Sequence, residues 1–180
     1  LASLLQLAHE RDLPDWISHF FTGSPVNGSE GRPALHMALR SRDREPLLIE
    51  GVDIRPVVRN ERDRMLDFAQ QLTSGEYRGY TGQPIRDVVN IGIGGSDLGL
   101  VMVTEALRGL CNPAIRCHFV SNIDGLELSR TLQTVSAETT LFIVCSKTFK
   151  TLETQLNATA ARNWFVSQAD EDAVARHFAA

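Results

Sequence analysis

The stretch Asp87-Val88-Val89-Asn90-Ile91-Gly92-Ile93-Gly94-Gly95-Ser96-Asp97-Leu98-Gly99 reads as a short apolar strand that breaks into glycines. It presents one hydroxyl, at Ser96, and then starts a helix whose Leu98, Val101, Met102 and Ala106 share one face. Such a unit suits an anion. Glycines let backbone approach a ligand closely, and the unpaired N–H groups at the start of a helix favour negative charge. Phosphate is the usual guest, and a tight turn packed on its own sheet is the plainer alternative. A dinucleotide fingerprint, G-x-G-x-x-G, fails in both registers, because Asp97 or Ser96 stands where a glycine is required. A Walker A loop on Gly94 and Gly99 lacks its Lys and Ser/Thr, which Leu100 and Val101 replace.

Outward from this stretch, strands and helices alternate. Strands are predicted at 87–92, 115–121 and 140–145, and helices at 151–166 and 171–176. The closing His177-Phe178-Ala179-Ala180 reads as the opening of a fourth strand that never arrives. Near-continuous apolar strands separated by helices argue for an α/β fold, a doubly wound parallel sheet covered on both faces. In a flavodoxin-like order, 2-1-3, the first and third strands are neighbours. The loop Gly94-Gly95-Ser96 then faces Ser146-Lys147-Thr148-Phe149-Lys150-Thr151 beyond the carboxyl ends of the strands, where ligands of such sheets bind. Together these loops offer hydroxyls from Ser96, Ser146, Thr148 and Thr151, a cation from Lys147 or Lys150, and two helix N-termini. Ser and Thr are also good helix caps, which is the competing explanation. Asp124, before Gly125, reads as a cap rather than a ribose ligand, and Glu153 as a first-turn carboxylate favoured by the helix dipole.

The first 82 residues read as a helical layer preceding a domain of residues 83–180. Helical spacing covers 1–22, with a break near Pro14. Residues 23–33 are a loop rich in Gly, Pro, Ser and Asn, and a short helix runs from Pro33 to Arg40. Residues 42–54 are irregular and charged, a longer helix follows from Pro56 to Thr73, and Gly75, Gly79 and Gly82 mark a flexible connection. His36 reads as a helix-packing residue, since no base, nucleophile or second ligand lies near it in sequence.

Eighteen Lys and Arg against 22 Asp and Glu give a net charge of −4. Neither sign forms a block of the kind that binds nucleic acid or a membrane surface, so a small ligand is expected. Cys111, Cys117 and Cys145 are odd in number and lack a C-x-x-C pair. They are expected to be reduced structural thiols in cytosol, with no metal and no cofactor. No apolar run reaches the ~18 residues of a membrane span. A start at Leu1 inside a helical pattern, and a stop without a terminating signal, suggest a fragment.

The segments Ile91 to Gly99, Phe119 to Gly125 and Ser146 to Thr154 resemble the glucose-6-phosphate isomerase family, as do Arg32-Pro33-Ala34-Leu35-His36-Met37-Ala38-Leu39-Arg40 and the run Gly75 to Gly82. The resemblance covers essentially all 180 residues in order. It implies a sugar isomerase (SIS) type α/β domain, interconversion of glucose 6-phosphate and fructose 6-phosphate through an enediol, and a homodimer. It implies that Gly95, Ser96, Ser146, Lys147, Thr148, Phe149, Lys150 and Thr151 hold the substrate phosphate. The family's glutamate base, histidine, lysine and arginine are expected beyond this region, so no catalytic residue is assigned and the chain alone is expected to be inactive. Two departures stand out: Leu100 in place of a common proline, and Lys150 in place of a common threonine. A non-catalytic sugar-phosphate-binding regulatory module is the alternative.

Overall fold

A computed structural model describes residues 1–42 and 45–180, which divide into two compact units, Leu1–Asp67 and Phe68–Ala180.

In the first unit, α1 (Ala2–Glu10) and α2 (Leu13–Thr22) make up the helical stretch expected over 1–22, interrupted as expected but two residues before Pro14. The break lies at Arg11 and Asp12, where Asp12 takes the left-handed conformation (φ 52°). Pro14 therefore sits in the first turn of α2, where its missing N–H costs nothing. The helix expected over 33–40 is shorter, α3 (His36–Arg40). The His36 ring stacks on Phe20 with centroids 6.0 Å apart, the packing role its sequence context suggests. Part of the irregular segment expected over 42–54, residues 43 and 44, lies outside the described residues. Its remainder contains a hairpin of β1 (Leu48–Ile49) and β2 (Val52–Asp53), antiparallel, turned through Glu50 and Gly51 at positive φ. Helix α4 (Arg55–Ser74) begins in this unit and ends in the next.

The second unit is a parallel sheet of four strands. They are β3 (Asp87–Ile91), β4 (Arg116–Val120), β5 (Thr140–Val144) and β6 (Phe178–Ala179), in the order β4-β3-β5-β6. The first three take the 2-1-3 arrangement that the alternation of strands and helices predicts. Residues 177–180 correct the expectation that the fourth strand never arrives. Phe178 and Ala179 pair in parallel with Phe142 and Ile143, and Phe142 N–H donates to His177 O at 2.8 Å.

Helices α5 (Leu98–Ala106), α6 (Gly125–Leu132) and α7 (Leu152–Val166) connect the strands, and a 3-10 turn at Glu171–Arg176 leads into β6. Successive strand residues point to opposite faces. On one face Val89, Ile91, Val120 and Phe142 pack with Leu128 of α6 and Ala161 and Phe165 of α7. On the other, Leu141 and Ile85 pack with Leu72 from the end of α4, flanked by Val88 and Ile143.

Helix α5 departs from its expected packing. None of its residues is fully buried, and Leu98 and Met102 are exposed although they share a face with Val101. Three buried residues make up the core on the second face, against nine on the first. The thiols also depart from expectation. All three are free, as reduced thiols are, but Cys111 and Cys117 are exposed and Cys145 is half-buried, so none is packed away as a small hydrophobe. Partial burial still pushes the Cys145 thiol above its ordinary range.

Candidate functional site

Adjacent strands in register end at the same level, and this brings the two sequence-selected loops together. Ile91 pairs with Val144, and Cys145 N–H donates to Ile91 O at 2.8 Å. The chain leaving β3 through Gly92 thus lies beside the chain leaving β5 through Ser146. Gly92 is the point of closest approach. A Cβ there would stand 2.5 Å from Ser96 O, 3.0 Å from Ser96 Cβ and 3.1 Å from Cys145 O. Only glycine lets the three segments meet.

The loop after β3 is a 3-10 turn, Gly94–Ser96, entered by Gly94 at φ 60°. A side chain on Gly95 would meet nothing within 4 Å, so its backbone is open to whatever approaches. Asn90, buried inside an otherwise apolar strand, braces this turn by donating from Nδ2 to Ser96 O at 3.1 Å. Asp97 follows, 5% exposed, and its Oδ1 has no hydrogen-bond partner. Burial pushes its carboxyl above the ordinary range, and the Glu127 carboxylate adds to the shift.

The loop after β5 is built around Phe149. This residue holds φ at 53°, a left-handed conformation that costs a side-chain-bearing residue ~1–2 kcal/mol. Its N–H donates to Ser146 Oγ at 3.0 Å, and its carbonyl accepts from Gln155 Nε2 at 2.6 Å. Because Ser146 Oγ accepts here, its own proton remains to be donated elsewhere. Thr151 stands at the N-cap of α7 but makes no side-chain cap bond, which leaves its hydroxyl outside the structural role that Thr usually plays there. Lys147, Thr148, Phe149 and Lys150 are exposed, whereas Ser96, Ser146 and Thr151 are half-buried. Behind the loop, a cavity of about 300 Å³ is lined in part by Val144, Phe149, Thr151 and Thr154. Thr154 Oγ1 is buried and without a partner.

The structure therefore gathers Gly95 and Ser96 on one loop and Ser146 through Thr151 on its neighbour, at the carboxyl ends of β3 and β5. The residue types are those that hold an anion with neutral donors: open backbone N–H groups, hydroxyls and helix N-termini. Asp124 instead caps α6, accepting from Leu126 N–H at 3.0 Å, and Glu153 lies in the first turn of α7. Among the described residues no group of His, Cys, Asp and Glu could hold a metal ion, and no helix is long and apolar enough to cross a membrane.

Sequence reasoning did not single out three supports of this end of the sheet. Glu127 accepts from the N–H groups of Ser121 and Asn122 at 3.0 and 2.9 Å, shaping the turn after β4. Asn157, buried in α7, donates to Asn122 O at 2.7 Å. Asn90 interrupts the apolar run of β3, and that interruption is a signal that sequence alone carried.

The phosphoglucose isomerase family model matches residues 1–180. Glucose-6-phosphate isomerase 1 of Chromobacterium violaceum is 51% identical over 181 aligned residues, which take in all of this chain and 33% of that protein. The chain thus spans about a third of the length of the curated relative it matches. The crystal structure of a glucose-6-phosphate isomerase from Chlamydia trachomatis superposes with a TM-score of 0.79 at 31% identity, covering 98% of this chain and 33% of that one. A hypothetical protein from Thermus thermophilus superposes with a TM-score of 0.52 at 25% identity, over 66% of this chain and 26% of its own.

Proposed function

Because the chain belongs to the phosphoglucose isomerase family, we propose that the whole protein interconverts glucose 6-phosphate and fructose 6-phosphate, and that this chain holds the phosphate. The observation that carries the reading is the meeting of the two loops at Gly92, within a chain half identical to a glucose-6-phosphate isomerase. Gly95 and Ser96 supply one side of the clamp. Ser146, Lys147, Thr148, Phe149, Lys150 and Thr151 supply the other. Hydroxyl protons and backbone N–H groups meet the phosphate oxygens, and the ammonium groups of Lys147 and Lys150 lie on the same loop.

The clamp positions the sugar and leaves the reaction to other groups. Moving a proton between C1 and C2 through an enediol needs a base and an acid that this chain does not supply. The protein works in the cytoplasm as a homodimer, and three unpaired cysteines fit a reducing compartment. A coupled assay of the intact protein with each hexose phosphate tests the reading. Turnover in both directions is expected. Phosphate binding without turnover would instead support a sugar-phosphate-binding regulatory module.

A further inference from the structure

Resting on the phosphate reading of the 146–151 loop, we propose that Gln155 is a positioning residue that sets the shape of this loop by tethering Phe149 in its left-handed backbone. Gln155 belongs to α7, and its own N–H bonds to Thr151 O at 3.1 Å, so its position is set by the helix. From there its Nε2 reaches back six residues to the Phe149 carbonyl at 2.6 Å. Phe149 is consequently held on both sides: its carbonyl by the helix, its N–H by Ser146 Oγ at 3.0 Å.

The chemistry explains why both ties matter. A side-chain-bearing residue at φ 53° reverts to extended or right-handed backbone unless its neighbours hold it. Reversion turns the Phe149 N–H away from Ser146 Oγ. The Ser146 hydroxyl then loses the donor that fixes its acceptor side, and with it the direction in which its own proton points. A side-chain amide suits the tether because it donates to a carbonyl and stays neutral. Glutamate in its place would oppose both the carbonyl and a phosphate dianion. Gln155 is exposed, so the tether is not a core contact.

The test is a double-mutant cycle in the intact protein: wild type, Gln155→Leu, Phe149→Gly, and both together. Affinity for inorganic phosphate and for glucose 6-phosphate is measured by calorimetry alongside the melting temperature. Glycine adopts the left-handed region without cost, so it removes the need for a tether. Gln155→Leu is expected to weaken both ligands three- to tenfold, with little change in melting temperature and with KM rather than kcat altered in the isomerase assay. In the Phe149→Gly background the same substitution is expected to change affinity less than twofold. Wild-type affinity in Gln155→Leu, or an equal loss in both backgrounds, overturns the proposal. Ser146→Ala with Thr148→Ala separates the two levels. If that variant binds phosphate as wild type does, the phosphate reading falls and this proposal with it. If it loses binding while Gln155→Leu keeps it, the tether alone is wrong.

Discussion

The two ends of the parallel sheet are built from similar residues and put to opposite uses. At the amino ends of the strands the buried polar groups Asp87, Thr140 and His177 all have partners. Asp87, 1% exposed at the start of β3, accepts from Arg116 at 2.9 Å and bonds His118 Nε2 at 2.8 Å. Thr140, at the start of β5, donates its hydroxyl to Ser136 O at 2.6 Å and lends its carbonyl to His177. At the carboxyl ends, Asp97 Oδ1 and Thr154 Oγ1 are buried without partners, Phe149 is strained, and hydroxyls line the loops. Buried polar atoms are normally satisfied, so leaving them otherwise costs stability. One end saturates its polar groups, and the other leaves buried polar atoms and backbone strain uncompensated, which is what the proposed phosphate clamp would require.

The largest expected contrast comes from the carboxyl end. If the two loops hold phosphate as proposed, Ser146→Ala with Thr148→Ala removes two hydroxyl donors to a charged group, each worth ~1.5–3 kcal/mol. Affinity for hexose phosphate should fall by ~3–6 kcal/mol, while unfolding free energy should fall by only ~0.5–1.5 kcal/mol, the scale of the one hydrogen bond lost to the Phe149 N–H. Titration calorimetry and urea denaturation of the same variant check both halves. A stability loss as large as the affinity loss would break the comparison.

At the amino end the prediction inverts. His177 is fully buried; its Nδ1 donates to Thr140 O at 2.6 Å and its Nε2 accepts from Tyr80 N–H at 3.0 Å. These partners define a neutral ring with its proton on Nδ1. The ring also packs 4.8 Å from Phe165, and Gly79 lies so close that a Cβ would stand 2.7 Å from it. His177→Ala should therefore cost ~3–5 kcal/mol of stability, the range for deleting a buried aromatic ring.

Burial holds the His177 pKa below its ordinary value; the Thr140 carbonyl opposes the shift, and Arg176 lowers it further. Below about pH 6.5 the unfolded imidazole takes up a proton that the folded one refuses. Stability is then complete above that pH and is lost as pH falls toward the lowered folded value, by at most ~1.4 kcal/mol per pH unit. Urea melts at pH 7.5 and 5.5 should show this slope in wild type and its loss in His177→Ala. A slope that survives the substitution belongs to another group.

The smallest effect is expected at Asp97. Its carboxyl is raised by burial, with a contribution from Glu127, so the ionised form is the unfavourable one in the fold. Stability is lost as pH rises from the ordinary carboxylate range through the raised value. Asp97→Asn should remove that dependence and raise stability at neutral pH by ~0.5–1 kcal/mol, the scale of an ordinary single substitution. A neutral or lower unfolding free energy would show that the Asp97 charge is used within the fold.

Much of this was legible from residues 87–99. A mostly apolar run ending in glycine needs no tertiary information to be read as a strand breaking into a loop, and further apolar runs near 116 and 140, separated by helices, carry the parallel sheet. The same periodicity misled at α5. Leu98, Val101 and Met102 satisfy a helical stripe, yet Leu98 and Met102 remain exposed, because periodicity states that a helix has an apolar face and not that the face is covered. Residues 177–180 were read as the opening of a fourth strand, but two residues carry no period, and only pairing with β5 showed that they join the sheet. The polar supports escaped for a related reason. Asn157 and Glu127 lie on helices like any surface residue, and their partners are 35 and 5 or 6 positions away in sequence.

By itself the sequence determined the alternation of strands and helices from residue 87 onward and the glycine and hydroxyl content of the two loops, because these follow from local sterics and the donors each residue carries. Only the tertiary structure decided that Gly92 is the point where the two loops come closest. The local turn brings Ser96 O and Cβ against it, but the Cys145 carbonyl on the other side is brought within contact distance by strand register, and no local pattern encodes that proximity. The tertiary structure likewise decided that His177 is a neutral, saturated residue of the amino end, since its protonation follows from the distant Tyr80 and Thr140 groups around it.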